Sequence, residues 1–252
     1  MTNFSYKPSI SDHCTECVAG IDGCRAGWIA IALADRGFSH KLLETSQDLL
    51  EFLQAATLTF IDIPIGLSDS EASRSCDRLL RDALRPHFSS SVFNPPVRQA
   101  VYARSYEEAC QRNAAASGKK ISKQSWNISI KIRLIDELLL THPSLSHTVL
   151  ESHPEYLFFN LNDHHLTHKK KTDYGRLERL QLLAKFFPAV EDVFGQVRSH
   201  YLKKQMADDD IVDALGLAIG AQLTRKHGLM SLPHPIERDK HGIPMAIHYA
   251  KR

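Results

Sequence analysis

Hydrophobic positions along this chain change period several times, and each change marks an element. "CVAGID" and "WIAIALA" are nearly continuous apolar runs separated by the Gly-containing stretch "GCRAG", which predicts two short strands joined as a hairpin. "FSHKLLETS" fits a third strand. In "SQDLLEFLQAA" the apolar residues Leu49, Leu50, Leu53 and Ala56 recur at helical spacing. "LTFIDIPIGL" is again almost unbroken and is stopped by Pro64 and Gly66, as expected of a central strand covered on both faces. Residues 1–17 have no such pattern and read as a polar tail.

Residues 67–145 are more charged and mostly helical. "SYEEACQRNAAASG" opens with the capping pattern Ser105-x-x-Glu108 and closes on Gly118, and "KQSWNISIKIRLIDELLL" is a longer helix ending near Pro143. "HTVLESHPE" restores a short strand, helices dominate from about Gly175 to Leu223, and "LPHPIERDKHGIPMAIHYAKR" reads as a looped tail with room for a small strand. The order predicts an α/β fold in which a three-stranded antiparallel meander is continued by parallel strands. Residues 18–252 then form a single domain carrying a helical insertion over about 67–145. Parallel neighbours present their C-terminal ends along one edge, where open α/β folds place ligands. Asp22, Asp62 and Glu151 all fall near that edge.

Composition narrows the setting. The chain has 252 residues, 43% hydrophobic and 24% charged, which suits an ordinary globular protein. Its formal net charge is +2, so affinity for a polyanion has to come from local basic clusters. Five cysteines in a chain of this size are no disulfide framework, and "HCTEC" supplies too few ligands for structural zinc without a second such pair. The opening residues lack the apolar core of a signal peptide, and no run reaches the ~18 apolar residues of a membrane span. The expected setting is the cytoplasm, with no membrane partner.

Carboxylates carry the chemistry. Asp62 lies among isoleucines in "FIDIPI", and an isolated buried carboxylate needs a cation, a donor network or a proton. A strand-end aspartate that caps the following turn is the bland alternative. Glu151 poses the same problem in "TVLES", unless its strand lies at an edge and is solvated. In "ADDDIVDALGLAIGAQL", Asp208 and Asp209 suit the start of a helix, whereas Asp213 lies past the first turn on an otherwise apolar helix. Helical spacing sets Asp213 on the face of Asp209 and Asp210, a like-charge arrangement that a metal ion would relieve. Asp22 either forms the turn beside Gly23 or ends the first strand as a ligand. Together these acids suit Mg²⁺ or Mn²⁺, and two such ions would clamp the attacking and leaving oxygens of a phosphodiester.

"GIDGCRAGW", "IDIPIGL", "RSCDRLLR", "SSVFNPP", "ESHPE", "KKKTDYGRLERLQLL" and "DDIVDALGLA" together resemble a bacterial and archaeal family. It is catalogued as domain of unknown function 429 and described as predicted ribonuclease H-like nucleases. The resemblance runs over about residues 18–225. It implies a ribonuclease H-like mixed sheet with an acidic two-metal site, and "DDIVDA" is similar to the final acidic helix of Holliday-junction resolvases in that superfamily. By this resemblance Asp22, Asp62 and Asp213 are core ligands, Glu151 and Asp210 further members, and Asp209 a substitute.

Basic residues supply candidate substrate contacts. Arg74, Arg78, Arg81 and Arg85 recur every three or four residues and form one helical stripe, suited to phosphates or to a solvated face paired with Glu71, Asp77 and Asp82. "HKKKTDYGR" brings Lys169, Lys170, Lys171 and Arg176 to a helix start, a second place for phosphate. Ser90, Ser91 and Arg98 in "SSSVFNPPVR" are available donors on a proline-restricted loop. His153 beside Glu151 either orients an acid or is structural. The expected activity is metal-dependent hydrolysis of nucleic-acid phosphodiesters. A sugar-kinase-like phosphotransferase and a non-catalytic nucleic-acid-binding module are the alternatives, and oligomeric state is left open.

Overall fold

The computed structural model describes residues 5–6, 17–35, 37–69, 74–92 and 94–251. Most of the expected N-terminal tail, and with it most of "HCTEC", lies outside the described residues, as does Glu71. The chain divides into two compact units. One comprises the chain up to Asp62, His147–Met230 and the segment from His248, and the other comprises Ile63–Ser146 with Ser231–Ile247.

The first unit is built on a mixed sheet. Its strands are β1 (Ser5–Tyr6), β2 (Val18–Cys24), β3 (Gly27–Ala34), β4 (Gly37–Leu43), β5 (Leu58–Ile61) and β6 (Val149–Glu151), in the spatial order β1-β4-β3-β2-β5-β6. β2, β3 and β4 are the antiparallel meander, while β5 runs parallel to β2 and β6 parallel to β5. A two-residue turn at Arg25 and Ala26 joins β2 to β3, followed by Gly27 at φ 148°, a backbone angle that favours glycine. β3 is buried along nearly its whole length, which explains why "WIAIALA" shows no alternation.

Helix α1 (Ser46–Ala55) is capped by Thr45, whose hydroxyl accepts from the Asp48 amide, and buries Leu49, Phe52 and Leu53. In this unit the later helices are α6 (Pro154–Asn162), α7 (Asp173–Ala184), α8 (Val190–His200) and α9 (Asp208–His227). α9 lies across β2, β3 and β5 and carries α6, α7 and α8 on its other sides. That surround accounts for the unbroken burial from Ile211 to Ala221, and for a helix whose amphipathic signal is weak.

The second unit contains α2 (Ser75–Ala83), α3 (Arg98–Val101), α4 (Tyr106–Ser117) and α5 (Lys123–Thr141). α4 begins and ends as its sequence predicts: Ser105 accepts from the Glu108 amide, and Gly118 closes the helix at φ 70°. The reciprocal Glu108 carboxylate reaches the amide of Arg104 rather than that of Ser105. Val97, Ala100, Ala103, Ala109, Cys110 and Ile121 form the core between these helices.

The C-terminal stretch differs from the looped tail expected. It is a hairpin of β7 (Leu229–Arg238) and β8 (Pro244–Ala250). Pro233 and Pro235 remove two amide donors from β7, which a two-stranded sheet tolerates because each strand has a free edge. Arg98, read from the sequence as an available donor, is buried and bonds Asp136 at 2.8 Å and Asp239 at 2.6 Å, tying this hairpin to the helices of its own unit.

Candidate active site

The parallel ladder between β2 and β5 ends at Ile21 opposite Ile61. Asp22, still within β2, and Asp62, just beyond β5, are the next residues along the chain, and the Asp62 amide continues the pattern by donating to the Ile21 carbonyl at 3.0 Å. Matching positions on adjacent strands carry their side chains to one face, so the sheet delivers two carboxylates together. Asp22 is buried within β2, not in the turn, and one of its oxygens accepts from the Gly23 amide at 2.7 Å. Asp62 lies just past the end of β5 rather than inside the strand its apolar setting suggests.

The third acid arrives from the covering helix. Gly20 faces α9 with no side chain, and a Cβ there would lie 2.1 Å from the Ala214 carbonyl oxygen and 2.2 Å from the Ala218 amide nitrogen. This close approach brings the first turns of α9 down onto the sheet beside Asp22. Asp213, immediately before Ala214, is fully buried. One of its oxygens accepts from Lys170 Nζ at 2.7 Å, and the other, Oδ1, has no hydrogen-bond partner.

Electrostatics record the crowding. Burial, followed by the charges of Asp62 and Asp213, holds the Asp22 carboxyl well above the usual carboxylate range. Although Asp62 keeps some exposed surface, burial of its carboxyl raises it from 3.8 to about 7; Asp213, Glu151 and Glu155 add to the rise, and Lys170 opposes it. The Lys170 ammonium is stabilised above its ordinary value, chiefly by Asp213. Asp210 is raised by burial although its carboxylate accepts from the Ala207 amide at 2.8 Å at the start of α9.

Glu151 is buried at the end of β6, although β6 is an edge strand, and sits one register step behind, opposite Ile61. Its charge acts on Asp62. His153 is the N-cap of α6, accepting from the Tyr156 amide at 3.4 Å, which supplies a structural reason for the residue. Asp208 accepts from Arg176 at 2.8 Å and Arg198 at 3.2 Å, so Arg176, expected to meet phosphate, already bridges the starts of α7 and α9. Lys170 likewise holds an acid rather than standing free for a phosphate.

A cavity of about 520 Å³ adjoins these groups, lined by Lys170, Lys171, Arg176 and Lys203 together with Asp208, Asp209 and Asp210. The arginine stripe lies in the second unit and is broken. Arg74 precedes α2 instead of joining it, and its buried guanidinium binds Asp77 at 2.9 Å and the Ile65 carbonyl at 2.8 Å. Arg81 bonds Asn94 and the Val92 carbonyl, both at 3.0 Å, while Arg78 is exposed.

Two residues that spacing alone did not single out complete the surroundings. Glu155 and Arg179 form a buried pair in which one guanidinium nitrogen, Nη2, donates to both carboxylate oxygens at 2.7 and 2.9 Å, while Nη1 donates to the His168 carbonyl at 3.1 Å. The available signal was Arg179 itself: Gly175, Arg179, Leu182 and Leu183 share one helical face, and a charge on an apolar face calls for a buried partner.

The family model described as "Protein of unknown function (DUF429)" matches residues 20–238, from the strand bearing Asp22 to the end of β7. The chain belongs to the DUF429 family. Neither the curated proteins nor the solved structures give a match to it. In this DUF429 chain the oxygen donors suit a hard divalent ion in kind, and the orphaned Asp213 Oδ1 is the atom such an ion would satisfy. Among the described residues no three Asp, Glu, His or Cys side chains converge as a ready metal site. An ammonium stands among the acids instead. Among the described residues no helix is long and apolar enough to cross a membrane.

Proposed function

We propose that this DUF429 chain is a metal-dependent phosphodiester hydrolase acting on nucleic acid, built on a ribonuclease H-like sheet. The observation that carries the reading is electrostatic reach among Asp22 within β2, Asp62 just past β5 and Asp213 on α9: the charge of Asp213 raises both other carboxyls, and one buried Asp213 oxygen is left unsatisfied. Purely structural carboxylates are paired or hydrogen-bonded when buried, because each unsatisfied group costs about 1–3 kcal/mol. A surplus of acids at one place is the usual accompaniment of a site that acquires positive charge on binding its ligands.

Asp22, Asp62 and Asp213 would hold Mg²⁺ or Mn²⁺, which when bound would supply Lewis-acid stabilisation of charge on a phosphoryl group. The chain's own residues divide the remaining work. Asp62, its carboxyl raised to about 7 by burial and by the neighbouring acids, would return to its carboxylate form on gaining a cation, which couples ligand binding to proton release. Glu151 and Asp210 keep the local potential negative. Lys171 and Lys203, both exposed along the cavity, offer ammonium groups to the flanking phosphates of a polynucleotide, supplying local attraction that a net charge of +2 does not.

The test compares labelled single- and double-stranded DNA, RNA and hybrid substrates with Mg²⁺, Mn²⁺ or EDTA, and follows ATP hydrolysis in parallel. Cleavage should require the divalent ion and fall by at least about 100-fold in Asp62→Asn and Asp213→Asn, with circular dichroism unchanged. Full activity in Asp62→Asn would remove that residue from the site. ATP turnover without strand cleavage would instead favour a phosphotransferase.

A further inference from the structure

The lysine among the carboxylates is held there by more than its charge. Its neighbours on both sides are tied down. The Lys169 carbonyl accepts from the Thr172 amide at 3.0 Å and from the Thr172 hydroxyl at 2.8 Å. The Glu178 carboxylate accepts from the amides of Thr167 and His168 at 2.8 and 2.9 Å, and Arg179 donates to the His168 carbonyl. The loop also lies directly on α7: a Cβ at Gly175 would come 2.0 Å from the Lys169 oxygen. A surface lysine meeting an acid by chance needs none of this anchoring.

Its end point is equally specific. Lys170 Nζ sits 2.7 Å from Asp213 Oδ2, on a carboxylate that is 1% exposed while the lysine side chain is 37% exposed. The second oxygen of the same carboxylate is buried and unpartnered. One oxygen of Asp213 thus has a protein cation and the other has none. A primary ammonium is a compact point charge with three donors, and it neutralises carboxylates much as a hard metal ion does. Two divalent ions placed beside it would each face its repulsion at short range.

We infer that Lys170 is a built-in cation occupying one positive-charge position of the acidic site, so that the site takes one divalent ion per chain rather than two. The inference rests on the metal-dependent reading proposed above and changes its stoichiometry. It also accounts for why the acids do not by themselves form a ready three-ligand set: one of them is already engaged by the lysine. Lys170 acts here through Asp213, as a positioning residue.

Mn²⁺ binding tests it without reference to catalysis. The full chain is titrated with MnCl₂ by calorimetry, with bound ions counted by native mass spectrometry, for the wild type, Lys170→Met and Lys170→Arg. One ion per wild-type chain is expected. Lys170→Met should gain a second ion or bind the first ~10-fold more tightly, and Lys170→Arg should restore the single-ion behaviour. Two ions on the wild type, or a Met variant identical to it in number and affinity, overturns the inference while leaving the metal reading in place. No Mn²⁺ on any variant overturns both. The wild-type count decides even if Lys170→Met fails to fold.

Discussion

Gly20 and Ala214 meet so closely that a methyl group on the first would lie 2.1 Å from the carbonyl oxygen of the second. The contact is between two backbones, a strand and a helix, and neither can swing aside as a side chain can. It fixes how far α9 descends onto β2, and hence where Asp213 stands relative to Asp22.

Gly20→Ala should therefore act on fold and site together. Overpacking a tight contact usually costs about 1–3 kcal/mol, and the upper end or beyond is expected here because the obstacle is main chain. Urea unfolding of the variant should show a clearly lowered midpoint. An unchanged midpoint would mean that strand and helix are not in contact at Gly20.

Asp62 was legible in the sequence because it is an isolated charge in an apolar run, and the composition of such a run by itself implies burial; Asp22, next to Gly23, read equally as a turn former until set beside the other acids. The first hairpin of the meander was legible for a related reason: the turn at "GCRAG" separates two runs too apolar to be exposed. Periodicity failed at Arg74. The spacing of four, three and four assumes that all four arginines lie on one helix, yet the helix begins at Ser75, and Arg74 turns inward to Asp77. Spacing carries no information about where a helix starts or which face its neighbours cover. The apolar run around Asp62 suggests a longer strand than forms, because Ile63, Ile65 and Leu67 are as buried as strand residues although they belong to none. Lys170 could be found as a basic residue but not as the partner of Asp213, 43 residues away, since only the fold brings them together.

Glu155 and Arg179 are the pair whose loss should be felt most widely. Both are buried, and the guanidinium also anchors the loop that delivers Lys170. Removing one member of a buried ion pair typically costs about 3–5 kcal/mol, because the other is left charged without compensation. Arg179→Met should lose stability on that scale in urea titrations. The double variant Glu155→Gln with Arg179→Met should recover a good part of the loss, since no buried charge then remains. A double variant as unstable as the sum of the single changes would show that the two residues act independently.

Stability against pH offers a separate handle on Asp62. Its carboxyl titrates at about 7 in the folded chain, against an ordinary value of 3.8, so between those limits the folded state binds more protons than the unfolded one. The contribution of protonated Asp62 to stability is fully present below the unfolded value and is lost as pH rises through about 7. Asn is neutral throughout and cannot lose it. In EDTA, Asp62→Asn should match the wild type in thermal midpoint near pH 4 and exceed it increasingly up to pH 8, where the wild-type carboxylate is ionised beside Asp22 and Asp213. Added Mn²⁺ should shrink or reverse that advantage, because an ion that neutralises the cluster favours the aspartate and not the amide. A difference between the two proteins that stays constant from pH 4 to pH 8 would show that Asp62 ionises with no cost to the fold, and would leave no electrostatic reason for a cation at this end of the sheet.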